Sequence, residues 1–202
     1  MLTQEDLQAI EKSELNRLVS ALQPADLDLL VNLLNEKDDN LRYKAFLLLQ
    51  ARSQACADVY AYWNLFVEKL GNENSYQRSL GLMLLAENAR WDEKDAFGAV
   101  IERYLERVDD EKPVTVRQCV QGLAKIVPFK PQYNDRVAGR LMAVDLAARK
   151  DTQRKILLLD IINILLLIQK ERQREDVERY IHHALTGGIL DEKAKKEIIK
   201  QL

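Results

Sequence analysis

The sequence predicts an all-α protein, a right-handed superhelical α-solenoid of antiparallel helix pairs, on three observations. An arginine returns near the start of four apolar helical segments, as Arg42, Arg78, Arg117 and Arg154, with gaps of 36, 39 and 37 residues. A fixed period of that length marks a chain of stacked helical units. Only seven glycines and four prolines interrupt 202 residues rich in Leu, Ala, Glu, Lys, Arg and Gln, which are strong helix formers. Aligned on the arginine, the segments also share one register. Ala45, Gly81, Val120 and Leu157 stand three positions later, and Leu49, Leu85, Ala124 and Ile161 seven later. Small or apolar residues at both places make the buried stripe of a helix.

The elements follow in order. Thr3 caps a first helix whose apolar stripe runs Leu7, Ile10, Leu15, Leu18, Val19 and Leu22, so residues 3–22 are expected to form one N-terminal cap helix. Pro24 stands at a first helical position and opens the first repeat, 24–53. Its second helix starts at Leu41-Arg42 after the polar turn Glu36 to Asn40. The order recurs in repeats 56–90, 93–127 and 132–169, with first helices expected at Val59–Leu70, Phe97–Val108 and Val137–Ala148. A more polar pair over 173–201, split by Gly187-Gly188, reads as a C-terminal cap. Stacked units share one core, so residues 1–202 are expected to form a single domain. Gly81 is costly inside a helix, by about 1 kcal/mol relative to Ala. Close approach of a neighbouring helix would account for it.

The arginines carry a resemblance. In the HEAT repeat family, close in architecture to ARM repeats, an aliphatic residue and an arginine open the second helix of each pair, with an acid about six positions earlier. Leu41-Arg42 and Val116-Arg117 fit this pattern, whereas Gln77-Arg78 and Gln153-Arg154 keep only the arginine. The acidic position holds Glu36, Asn72, Glu111 and Ala148. The resemblance spans roughly residues 24–169 and implies an interaction scaffold that binds a protein partner on its concave face. The four arginines are expected to be structural, and Arg154, which faces Ala148, marks the fourth unit as the irregular one. Tyr43, Gln50, Ser79, Gln118, Lys125 and Lys155 lie off the buried register and are surface candidates for the partner.

Composition narrows the function further. The net charge of −2 exerts no general pull on nucleic acid, although residues 1–40 carry −6 and residues 130–174 about +5. That basic stretch supports the alternative reading, a HEAT-like DNA alkylpurine glycosylase with Asp145 or Asp160 as its acid. It holds one aromatic, Tyr133, where such a groove wants several. Chromophore-lyase relatives with HEAT-like repeats form a third class. The chain has no HExxH, CxxC, Gly-rich phosphate loop or Gly-x-Ser-x-Gly motif, so no enzymatic activity and no cofactor is expected. His182 and His183 are adjacent and point to different helix faces, and Glu178 alone does not complete a metal site.

Cys56 and Cys119 are too few and too far apart for a disulfide framework. The aromatic group Tyr60, Tyr62, Trp63 and Phe66, with Trp91 beyond it, is expected to be core, with Tyr60 and Tyr62 at its edge. Residues 156–168 are apolar nearly all round, either buried or forming a homodimer face in place of a monomer. The run is too short for a bilayer, and no signal peptide is visible, so a cytoplasmic protein without membrane contact is expected.

Overall fold

The computed structural model describes residues 2–202 and shows helices and turns, with no strand among the described residues. The helices are α1 (Gln4–Ala9), α2 (Pro24–Leu33), α3 (Asp39–Ala55), α4 (Trp63–Lys69), α5 (Ser75–Asn88), α6 (Ile101–Leu105), α7 (Pro113–Ile126), α8 (Asn134–Met142), α9 (Asp151–Glu171), α10 (Glu175–Thr186) and α11 (Glu192–Ile199). Packing divides the chain into two compact units, one up to Val100 and one from Ile101.

In the first unit α2 packs on α3 and α4 on α5, and the two second helices, α3 and α5, pack on each other. The second unit repeats the scheme. The 3-10 turn Glu106–Asp109 packs on α7, α8 packs on α9, and α7 packs on α9. The core of each unit is aliphatic, with Leu41, Leu48, Leu49, Leu80 and Leu85 in the first and Val116, Leu123, Ile161 and Leu165 in the second almost fully buried.

The cap helix expected over 3–22 is cut short. Thr3 and Asp6 form a capping box at its start, but α1 ends at Ala9, and a 3-10 turn, Lys12–Arg17, follows. The cause is Lys44, whose buried ammonium donates to the carbonyls of Leu7 (3.0 Å) and Gln8 (2.7 Å). Those carbonyls are the acceptors that another helical turn would need. The first helices of the second and third repeats also differ from expectation. Tyr60 and Tyr62 lie in a 3-10 turn, Asp58–Tyr62, before α4 begins at Trp63. The stretch expected as Phe97–Val108 is a 3-10 turn, a short α6 and a second 3-10 turn. There Asp92 accepts the amides of Ala96 and Phe97, fixing where the chain turns. Likewise α8 stops at Met142, and Asp145 accepts the amides of Ala147 and Ala148 where helix was expected.

The aromatic group is core. Trp63 and Phe66 are buried, Trp63 meets Phe97 edge-on at 6.4 Å, and the Trp91 indole donates to the Ser53 carbonyl. Tyr60 and Tyr62 are half-buried, and their hydroxyls donate to Asp92 (2.7 Å) and Asp28 (2.5 Å). Burial first, and then these carboxylates, push both phenols up to about 12. Cys119 is buried and Cys56 half-buried, both as free thiols, and burial pushes the Cys119 thiol well above its usual range.

Residues 156–168 resolve in favour of burial. Eight side chains of α9, Leu157, Leu158, Ile161, Ile162, Ile164, Leu165, Leu166 and Ile168, are enclosed. The helices packed on it are α7, α8 and α10, and Ile156 at its start stays exposed. No helix of the described residues is long and apolar enough to cross a membrane.

Two features of the first unit are testable. A Cβ on Gly81 would stand 2.7 Å from the Phe66 carbonyl oxygen and 2.9 Å from the Lys69 Cβ, so α4 approaches α5 at that glycine. Gly81→Ala should therefore lower stability by about 1–3 kcal/mol, the overpacking cost, against its helix-propensity gain; the urea midpoint reads the sign. Lys69 itself is buried and donates to Asn35 (2.8 Å) and Gln77 (2.5 Å). Burial, and then the nearby Arg42, push its ammonium down from 10.5 to about 8. Between these values the unfolded chain holds a proton that the folded chain has released, so this group's contribution to stability rises with pH. Urea midpoints compared at about pH 7.5 and 9.5 should show that rise in the wild type and not in Lys69→Met.

Candidate functional site

The repeated arginines show how the turns are held. Arg42 donates from Nη1 to the Glu36 carbonyl at 2.7 Å and pairs with Asp39. Arg78 donates from Nη1 to the carbonyls of Asn72 (2.9 Å) and Glu73 (2.8 Å). Arg154 donates to the carbonyls of Arg149 (2.9 Å) and Ala147 (2.8 Å). The expected partner, an acidic side chain six residues earlier, is thus replaced by the main-chain oxygens of the turn. A carbonyl is present whatever the side chain, so Ala148 deprives Arg154 of nothing.

The exception is Arg117. It turns away from its own turn and binds Asp160 of α9, with Nε at 2.7 Å and Nη2 at 3.4 Å, while Gln121 donates to the same carboxylate at 3.1 Å. The hydrogen bond to Asp160 raises the arginine's pKa further. The turn it leaves is held instead by an arginine from the stretch between α8 and α9. Arg149 donates to the carbonyls of Val108 (2.9 Å) and Asp110 (3.4 Å) and to Asp109 at 3.3 Å. Arg140 also pairs with Asp109. The irregular turn is therefore the one before α7, where the sequence pointed to the one before α9.

Between the starts of α7 and α9 a half-open cleft remains. It is lined by Pro113, Val116, Arg117, Arg149, Thr152, Gln153, Ile156 and Leu157 and has room for about 80 Å³. The walls are mostly apolar, the two charged lining residues are arginines, and no carboxylate lines it. Ile156 is 43 % exposed at its edge, and Val114 stands exposed on the first turn of α7. Lys112 and Lys150 are the N-caps of α7 and α9, neither with a side-chain capping bond. At the corresponding places of the first unit stand Asp38 and Asn74, which accept amides of α3 and α5. Both helices thus present a positive end, with basic rather than acidic caps, to the neighbourhood of the cleft.

The surface candidates fall unevenly. Tyr43 is exposed, with Lys12 over its ring at 4.8 Å. Gln50 is half-buried and donates to the buried Glu87. Gln118 and Lys125 are half-buried on α7, and Lys155 is half-buried and pairs with Asp191. Ser79 is buried, only 6 % exposed, which corrects its place as a surface residue. The reason is that α5 has no solvent stripe at that level: Gln77 to Leu82 are all buried in succession. Nothing joins the six candidates into one site.

Sequence reasoning missed Arg149, Thr152 and Ile156 as a set. The signal was a lysine at two helix starts where the other units carry Asp or Asn. Of the ten basic side chains in 130–174, Arg136, Arg140, Arg149, Arg154, Lys155 and Arg174 are in ion pairs. His182, His183 and Glu178 are exposed, and no group of three or more His, Cys, Asp or Glu among the described residues is placed to hold a metal ion.

Fold and cleft define an all-helical protein of two compact units, the second with an open, arginine-lined cleft. The comparisons take this no further: no model of a known protein family matches the chain, and no curated protein matches it.

The arginines differ in what they hold, and truncation should separate them. Arg78 is buried with two charge-assisted bonds to carbonyls, so Arg78→Ala should cost about 3 kcal/mol. Arg117 makes a half-exposed ion pair, so Arg117→Ala should cost about 1 kcal/mol or less. Thermal and urea unfolding of the two variants measure the contrast.

Proposed function

We propose that this protein is a non-enzymatic interaction scaffold of HEAT-like helix pairs, a right-handed superhelical solenoid over residues 1–202 that binds a protein partner along its second helices. The observation that carries this is the packing of the second helices on one another within each unit, α3 on α5 and α7 on α9, with the open cleft at the α7–α9 step. The carbonyl-holding arginines support the same reading, because they secure the turn before each second helix without needing a matched acid.

The glycosylase alternative has less support. Asp160 is held by Arg117 and Gln121, and Asp145 caps its own turn, so neither carboxylate is poised to act on a substrate. The basic stretch that would form a cationic groove is largely taken up in ion pairs.

Site-specific photo-crosslinking tests the scaffold reading. A benzophenone side chain in place of Ile156, in the cell that makes the protein, should give a discrete adduct with a second polypeptide. The same group in place of Glu178, exposed on α10, should not. Equal adducts at both positions, or none at Ile156, contradict the reading. Salt-sensitive DNA binding by the purified protein would turn the choice toward the glycosylase.

A further inference from the structure

The two units give an internal template for what the cleft lacks. In the first unit the guanidinium of Arg42 lies under the ring of Tyr76, 4.3 Å from its centroid, and the Arg42 side chain is only 12 % exposed. Tyr76 stands two residues before Arg78, the arginine of the following second helix. In the second unit α7 and α9 take the parts of α3 and α5, and the residue two before Arg154 is Thr152. A threonine does not reach across. Arg117, the counterpart of Arg42, is left 43 % exposed, and the cleft opens where the tyrosine ring would be, with Thr152 on its wall.

Resting on the scaffold reading, we propose that this cleft receives an aromatic side chain from an acidic linear segment of a protein partner, laid on Arg117 as Tyr76 is laid on Arg42. Asp160 fixes the guanidinium plane through Nε and Nη2, so a flat cationic surface is ready for a ring. Pro113, Val116 and Ile156 supply apolar walls around it. The acidic character follows from charge. No carboxylate lines the cleft, the exposed Lys150 stands beside it at the start of α9, and the exposed acids at the two helix starts, Asp151 and Glu111, are paired with Arg154 and Lys112. Carboxylates beside the aromatic residue would face Lys150 and the positive starts of α7 and α9, neither of which has a side-chain cap, whereas a basic segment would meet like charge.

The probe is a fluorescein-labelled peptide, Gly-Ser-Asp-Glu-Tyr-Asp-Glu-Ser-Gly, with two controls: tyrosine replaced by alanine, and all four acids replaced by lysine. By fluorescence anisotropy the acidic tyrosine peptide should bind about tenfold more tightly than either control, and more weakly as salt rises from about 50 to 300 mM. Thr152→Tyr, which supplies the missing ring on an exposed position, should weaken the peptide about tenfold while leaving the melting temperature level or higher. Lys150→Glu should weaken binding and flatten the salt dependence. Equal binding of the three peptides, or undiminished binding to a folded Thr152→Tyr, overturns the proposal. Should Thr152→Tyr fail to fold, Ile156→Asp at the exposed rim takes its place, with the same loss expected and undiminished binding again fatal. If the peptides fail while Ile156 still crosslinks to a discrete partner, the aromatic-acidic chemistry falls and the scaffold stands; if both fail, both fall.

Discussion

A guanidinium bonded to the carbonyls of a tight turn is the contact on which the rest of this structure depends. The turn before each second helix leaves main-chain oxygens pointing into a crowded place, and buried carbonyls without donors are costly. Arg42, Arg78 and Arg154 fill that need from inside the helix that follows. The planar, always charged fork of arginine suits two oxygens at once, which the single ammonium of lysine does less well. This accounts for a recurring arginine while the residue six positions earlier varies from Glu to Asn to Ala. The side chain there is not the partner, and the main chain is.

That arrangement also explains the irregular step. Before α7 the turn is held by Arg149, from the stretch between α8 and α9, and Arg117 is released to Asp160. The exchange keeps the carbonyls satisfied and moves an arginine to the edge of a cleft. Asp160 receives it and Gln121 donates to the same carboxylate, where the register of the first unit has Leu84 and Phe46. Substituting Thr152 for an aromatic then leaves the cleft open. Three changes at aligned positions thus convert a closed step between second helices into an open one, at little cost to packing, because α9 remains enclosed along Leu157 to Ile168.

Much of this was legible in the sequence, and the rest was not for physical reasons. The all-helical class, the starts of the second helices and the need for Gly81 followed from period, register and propensity. The first helices did not, because their ends are set by distant groups. Lys44 takes the last carbonyls of α1 from 36 residues away, and Asp92 fixes the break before α6. Local pattern contains neither contact. The apolar run of α9 read equally as core or interface, since only three-dimensional neighbours decide what covers a helix. The cleft was hidden for a similar reason: it arises from what Thr152 lacks, and an absence shows only against the step that has Tyr76. The lysines at the caps of α7 and α9 stand in the sequence, but nothing local shows that they border a cleft.

The central claim is that turn carbonyls are held by whichever arginine reaches them, and that before α7 this is Arg149. Amide hydrogen exchange on Arg149→Met and Arg117→Met tests it most directly. The amides of Asp110, Lys112 and Val116, all hydrogen-bonded in and after the turn, should exchange faster in Arg149→Met and at the wild-type rate in Arg117→Met. Faster exchange in Arg117→Met with an unchanged Arg149→Met would contradict the account.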